Sequence, residues 1–156
     1  MYKPRVVTRS LIDRANQLGH EVTNLKLQKL LYIAHGTMLG FYGKPLLEGA
    51  FSAWKYGPVM EPLYHDLKVF GSDSIKSGDF YIHSWEKVPD TDTEAHEVID
   101  AVANHFGGRT GANLIEWSHV PNGPWHAVYK DNSKNLSIQN EDIQKYFKEH
   151  VVRVSP

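Results

Sequence analysis

Nine histidines in a chain of 156 residues are its most unusual compositional feature, and they raise the question of a metal site. A neutral imidazole is the commonest nitrogen ligand of zinc, and two histidines at positions i and i+4 of a helix bind the ion in the HExxH pattern. His96-Glu97 begins such a pattern, but Asp100 stands where the second histidine is required. The sequence therefore predicts no metal site.

Ser118-His119 is the one adjacent pair of a hydroxyl and a base worth considering for nucleophilic catalysis. Members of a catalytic triad converge through the fold, so adjacency in sequence rarely builds one. The chain has no cysteine and no GxSxG, GxxxxGKS/T or GxGxxG segment, which removes thiolate chemistry, disulfides and the usual hydrolase and nucleotide signatures. We therefore predict no catalytic residues and no cofactor. A hydrolase that uses His119 with a distant carboxylate is kept as an alternative.

Large aromatic side chains are the residues that a binding function would use, because they dominate the hot spots of protein interfaces. Trp54, Tyr56, Trp117 and Trp125 are the candidates, although each is also an ordinary core residue. Tyr56 and Trp125 each neighbour a Gly-Pro dipeptide, so we expect these two side chains to be partly exposed.

Basic and acidic residues are distributed unevenly along the chain, although the formal net charge is only -1. Up to Phe70 there are 9 basic and 5 acidic residues, and beyond it 8 basic and 13 acidic residues. A nucleic-acid footprint is normally a cluster of basic residues, whereas here they are scattered. Nucleic acid is therefore disfavoured as a partner, and a nucleic-acid-binding regulator is kept only as an alternative.

A helix from Leu25 to Tyr42 is the element that should position these residues. Apolar residues recur in it at spacings of three and four, which predicts one buried stripe, with Lys26, Lys29 and Gly36 on other sides. The stripe consists of Leu27, Leu30, Leu31, Ala34, Met38 and Phe41. Gly36 and Gly40 each cost up to about 1 kcal/mol relative to alanine, which close packing of a neighbouring element would offset.

The remaining pattern predicts a mainly α fold, a single compact helical domain over residues 1–156 with a small β-element. Short strands are expected near 48–56 and 80–85. We expect helices at Val6–Leu18, from Pro62 to Phe70, after a Thr91–Glu94 capping box, after Thr110 and Pro124, and after a cap at Asn140. No long apolar run or signal-peptide pattern is present, which predicts a cytoplasmic protein without a membrane partner.

Several segments in a fixed order carry a resemblance to a known family. They are LKLQKLLY at 25–32, FSAWKYGPV at 51–59, Leu63-Tyr64, Ser118-His119 and Pro124-Trp125. KLQKLLY followed by WxYGPV at this spacing resembles the Panacea domain, the SocA-like, phage-associated family also called GepA. The likeness extends from the first helix to the terminal helix.

The resemblance implies a mainly α-helical antitoxin of a two-gene toxin–antitoxin system, of the kind carried by phages and prophages. It further implies direct binding to a cognate toxin encoded by the adjacent gene, with delivery of that toxin to a protease as a variant. No catalytic residue can be carried over from the family. The matching positions are therefore toxin-binding candidates only: Tyr32, Trp54, Lys55, Tyr56, His119 and Trp125.

Overall fold

Residues 1–131, 133 and 136–152 are described by a computed structural model, and the fold is mainly α-helical as predicted. Within them the chain forms eight α-helices: α1 Pro4–Gln17, α2 Asn24–Tyr42, α3 Glu61–Leu67, α4 Phe80–His83, α5 Thr93–Phe106, α6 Gly111–Ser118, α7 Pro124–Val128 and α8 Asn140–His150. The strands are β1 Phe51–Trp54, β2 Gly57–Val59 and β3 Ser137–Ile138, and a 3-10 turn at Lys68–Phe70 continues α3. None of the helices described is both long and apolar enough to cross a membrane.

Helix α2 is the centre of the fold, because α1, α3, α5, α6, α8 and β2 all pack around it. The prediction of a single buried stripe is wrong for this reason. Lys29 and Gly36, which we expected on other sides, are buried. Phe41, which we expected inside, is 54% exposed near the end of the helix. The helix begins at a cap, where the Thr23 hydroxyl accepts a hydrogen bond from the Lys26 amide.

Helix α8 packs closely on α2 at Gly36 and Gly40 of α2. This confirms the close packing that we predicted from the loss of helix stability at these glycines. A methyl group at Gly36 would overlap the Phe147 ring, and one at Gly40 would lie 3.1 Å from the Lys148 amide nitrogen. The two glycines therefore let α8 approach the central helix closely.

The sheet is small and antiparallel, with the order β2-β1-β3. Strand β1 lies inside the predicted segment 48–56, which confirms that part of the β-element. The pairing of β1 with Ser137–Ile138 was not predicted from the sequence. This pairing joins residues far apart in the chain, and a two-residue strand has no periodicity to detect.

The predicted strand near 80–85 is wrong, because Phe80–His83 forms helix α4. The Asp79 carboxylate accepts hydrogen bonds from the backbone amides of Tyr81 and Ile82, which caps the helix. Ile82 is buried while Phe80 is 93% exposed. Three apolar residues are too few to distinguish alternation from a single helical turn.

Two predicted caps are also wrong. Helix α5 is capped by Asp92, whose carboxylate accepts the Ala95 amide at 3.1 Å, and not by Thr91. Asn140 is the first residue of α8, and its Oδ1 accepts from the Nε2 of His35 at 2.9 Å.

The prediction of one domain over residues 1–156 stays a prediction.

Candidate functional site

The segment Trp54–Pro58, which we call the corner, is a tight hairpin between β1 and β2. Trp54 pairs with Gly57, so Lys55 and Tyr56 alone form the turn between them. Both side chains point into solvent, and Tyr56 is 57% exposed. A hairpin with so short a turn holds its two central residues in a fixed place relative to the sheet.

Gly57 closes the corner against α2 and α6. Its φ of 106° lies in the left-handed region, where glycine is favoured. A Cβ atom here would also lie 2.6 Å from both the Lys29 Cε and the Ser118 Oγ. Glycine is therefore required at this position both by backbone conformation and by space.

Lys29 lies underneath the corner inside the protein. Its side chain is buried, and its Nζ donates a hydrogen bond to the Pro58 carbonyl at 3.0 Å. Burial lowers the pKa of Lys29 to about 7, because a charged ammonium loses its hydration there. The side chain ties the second turn of the central helix directly to the backbone of the corner.

Three stacked rings support the corner from its other side. The His119 ring lies parallel to the Trp125 ring at 3.6 Å between centroids, and Trp125 stacks on Tyr129 at 4.6 Å. The indole Nε1 of Trp125 donates a hydrogen bond of 2.7 Å to the Trp54 carbonyl. The stack thereby fixes the first residue of the corner.

Ser118 and His119 are not arranged as a nucleophile and its base. The Ser118 hydroxyl donates to the Ile115 carbonyl at 2.8 Å, and the His119 ring stacks on Trp125 with its Nε2 buried and without a hydrogen-bond partner among the described residues. Burial, followed by the positive charges of Lys29 and His126, lowers the pKa of His119. These contacts give His119 a packing role behind the corner.

The corner forms one wall of a half-open groove with a volume of about 1430 Å³. Its other described walls are the start of α2, the residues around the 3-10 turn after α3, and the residues Tyr129, Asp131 and Ser133. The aromatic side chains that line it are Trp54, Tyr56, Tyr64 and Tyr129. Trp54 and Tyr64 meet edge to face with centroids 5.0 Å apart. Among the described residues no group of three or more histidine, aspartate or glutamate side chains could hold a metal ion.

The chain is similar in sequence to known antitoxins. The family model described as "Antitoxin SocA-like, Panacea domain" matches residues 27–126. Antitoxin SocA of Caulobacter vibrioides (strain NA1000 / CB15N) is 34% identical to this chain over 154 residues, covering 93% of this chain and 80% of that protein. No solved structure matches the chain significantly.

The chain belongs to the SocA-like Panacea family. The matched residues run from the first buried turn of α2 to α7, so they contain Lys29, the whole corner and the His119–Trp125 stack. Helices α1 and α8 lie outside the match, although α8 packs directly on the matched central helix. The Panacea match therefore includes the corner, Lys29 and two of the three stacked rings, while Tyr129 lies beyond it.

The six candidates from the sequence separate into three groups in the Panacea structure. Lys55 and Tyr56 are exposed on the corner, and Trp54 is half-buried in the groove wall. His119 and Trp125 lie behind the corner, and Trp125 is only 7% exposed, so its expected exposure is wrong. The reason is its position in the ring stack, which covers both faces of the indole.

Tyr32 is a binding candidate that the structure places in the core. It is 1% exposed and meets the rings of Phe51 and Phe147 edge to face, at 5.4 and 5.6 Å. In this structure Tyr32 is a core residue between α2, β1 and α8.

Sequence reasoning missed four residues of this region: Lys29, Tyr64, Lys68 and Tyr129. Tyr64 stands in the Leu63-Tyr64 segment that the resemblance had already marked, so a signal was present. Lys29 was assigned to the exposed side of α2 because its neighbours suggested one apolar stripe. Lys68 and Tyr129 join the groove only through the tertiary fold.

Proposed function

We propose that this protein is an antitoxin that neutralises a toxin encoded by the adjacent gene through direct protein–protein binding. Membership of the SocA-like Panacea family is the observation that carries the proposal. Delivery of the bound toxin to a protease is a variant that uses the same first step. The proposed place of this complex is the cytoplasm.

The proposed contact surface is the corner together with the groove beside it. Tyr56 supports this choice because it is an exposed tyrosine on a rigid hairpin, and tyrosine is enriched among interface hot spots. Rigidity matters because an ordered side chain loses little conformational entropy when it binds. Lys29 and the ring stack supply that rigidity from two sides.

The proposal also holds that the protein is not an enzyme. Of the adjacent pair that the sequence singled out, the Ser118 hydroxyl donates to a backbone carbonyl and the His119 ring stacks on a tryptophan. A screen of the purified protein for esterase and phosphatase turnover, repeated with His119→Ala, should give the same background rate for both. Turnover that the variant loses would favour the hydrolase alternative.

Co-expression with the adjacent open reading frame tests the antitoxin role. We expect the neighbour alone to stop growth, and growth to return when this protein is expressed with it. A neighbour that is harmless alone, or that stays lethal in the presence of this protein, would contradict the proposal. A catalytically inactive variant of the neighbour should then co-purify with this protein if neutralisation occurs by binding.

A further inference from the structure

The floor of the groove offers few free polar groups, because its amides are already used. The Asn24 side-chain nitrogen donates to the Tyr64 carbonyl at 3.3 Å. The Gln28 amide donates to the Asn24 Oδ1 at 3.1 Å and accepts the Met60 backbone amide at 2.9 Å. A ligand in the groove must therefore be recognised by other groups.

Two ammonium groups remain available at the groove. Lys55 stands in the β1–β2 turn and Lys68 in the 3-10 turn after α3, and both side chains are exposed. Neither forms an ion pair with any residue in the part of the chain that the structure describes. The carboxylate of Asp131 also lines the groove, but it already accepts a hydrogen bond from the Tyr129 hydroxyl.

Aromatic side chains line the same groove as these two cations. Tyr56 is 57% exposed, and the Lys55 Nζ lies 5.5 Å from the centroid of its ring. Trp54 and Tyr64 pack against each other in the same wall. Rings next to a cation favour a ligand that combines an apolar side chain with a negative charge.

The size of the groove favours a length of chain over a small molecule. Its volume of about 1430 Å³ exceeds the roughly 300–1,000 Å³ of ordinary small-molecule pockets. Nucleic acid fits less well, because phosphate backbones are normally met by a cluster of cations, and among the described residues the groove is lined by two lysines.

We propose that the groove binds an extended segment of the toxin that carries an aspartate or glutamate beside a large apolar side chain. The acidic group pairs with Lys55 and Lys68, and the apolar side chain packs on the rings of Tyr56 and Trp54. This inference rests on the proposed antitoxin function, and it adds the chemistry of the segment that is recognised.

Charge reversal on the intact protein tests the inference. The probe is the purified, inactivated product of the adjacent gene, and the variants are Lys55→Glu and Lys68→Glu, with unchanged thermal unfolding as a check on folding. Each variant should weaken binding by about tenfold or more, because a like charge then faces the acidic segment. Lys76→Glu, an exposed lysine outside the groove, is the matched control and should change affinity by about twofold or less.

Overlapping peptides that tile the toxin identify the segment itself. We expect the bound peptides to contain an acidic residue next to a large apolar one, and to lose binding in Lys68→Glu. Reversals no more harmful than Lys76→Glu, or a preference for basic peptides, would overturn the inference and leave the antitoxin function standing. An oligothymidylate bound more tightly than any peptide would overturn it in favour of nucleic acid. Failure of the wild-type protein to bind the neighbour would overturn both proposals.

Discussion

Lys29 is a buried lysine with one hydrogen bond and no acidic partner among the described residues that contact it. Its Nζ reaches the Pro58 carbonyl, and its alkyl chain lies against Gly57. Burying an ammonium is costly unless it is paired, so the proton is released easily and the pKa falls to about 7. The neutral amine still donates its hydrogen bond, so the corner keeps its support above this pH.

The unfolding free energy of the wild-type protein should rise with pH between 7 and 9.5. In this window the unfolded chain keeps the Lys29 proton, since an exposed lysine has a pKa near 10.4, while the folded chain has released it. The unfolded state therefore binds more protons, and the folded state gains up to about 1.4 kcal/mol per pH unit. Urea unfolding at several pH values measures this slope.

Lys29→Met should remove that slope, because methionine has no proton to lose. Lys76→Met replaces an exposed lysine and should keep it, which makes it the matched control. Equal slopes in the wild type and in Lys29→Met would show that the buried lysine is not the titrating group.

Residue types indicated part of the site before its geometry was known. The Gly57-Pro58 dipeptide was enough to predict the exposure of the neighbouring Tyr56, because turn chemistry is local. Lys29 was not predicted, because a lysine inside a helix is normally exposed and only the tertiary fold surrounds it on every side. Trp125 was placed outside because it follows a Gly-Pro dipeptide, whereas the stacked His119 and Tyr129 rings cover it.

At the scale of elements, the pair α2 and α8 depends on two glycines. In an exposed helix, replacing glycine with alanine stabilises by up to about 1 kcal/mol. Gly36→Ala should instead destabilise by about 1–3 kcal/mol, because its methyl group would overlap the Phe147 ring. Chemical denaturation of the variant and the wild type measures the difference.

Gly78→Ala is the control for Gly36→Ala, since a methyl group at Gly78 meets nothing within 4 Å. Both changes restrict the unfolded chain equally, so a loss of stability seen in Gly36→Ala and not in Gly78→Ala reports the contact with α8. Adding Phe147→Leu to Gly36→Ala should recover part of the lost unfolding free energy, and a double-mutant cycle measures this coupling. A Gly36→Ala protein as stable as Gly78→Ala would show that α8 does not pack there.

Helices with a long apolar periodicity were predictable, and so were short helices with a local start signal, such as α3, α6 and α7, whereas α4 and β3 were not. The α1, α2 and α5 helices follow from repeated spacings of three and four over at least ten residues. Helix α4 is a single turn whose cap, Asp79, outweighs a β-like composition. Strand β3 exists only because β1 lies beside it, and that pairing is a contact between distant parts of the chain.

At the scale of the molecule, the central helix joins the core to the candidate binding surface. One side of α2 packs on α8 through Gly36 and Gly40, and another carries Lys29 to the corner. The corner is thus held by the most deeply buried element of the fold. This arrangement presents Lys55 and Tyr56 on a rigid support, which suits a surface that binds another protein.

The affinity of the purified protein for the inactivated product of the adjacent gene, measured by calorimetry, tests the central claim most directly. Phe41 provides the matched control for Tyr56, because both are exposed aromatic residues, 54% and 57%, and Phe41 lies outside the groove. Tyr56→Ala should weaken binding by about tenfold or more, whereas Phe41→Ala should change it by about twofold or less. Equal affinities of the two variants, with both folded, would contradict binding through the corner.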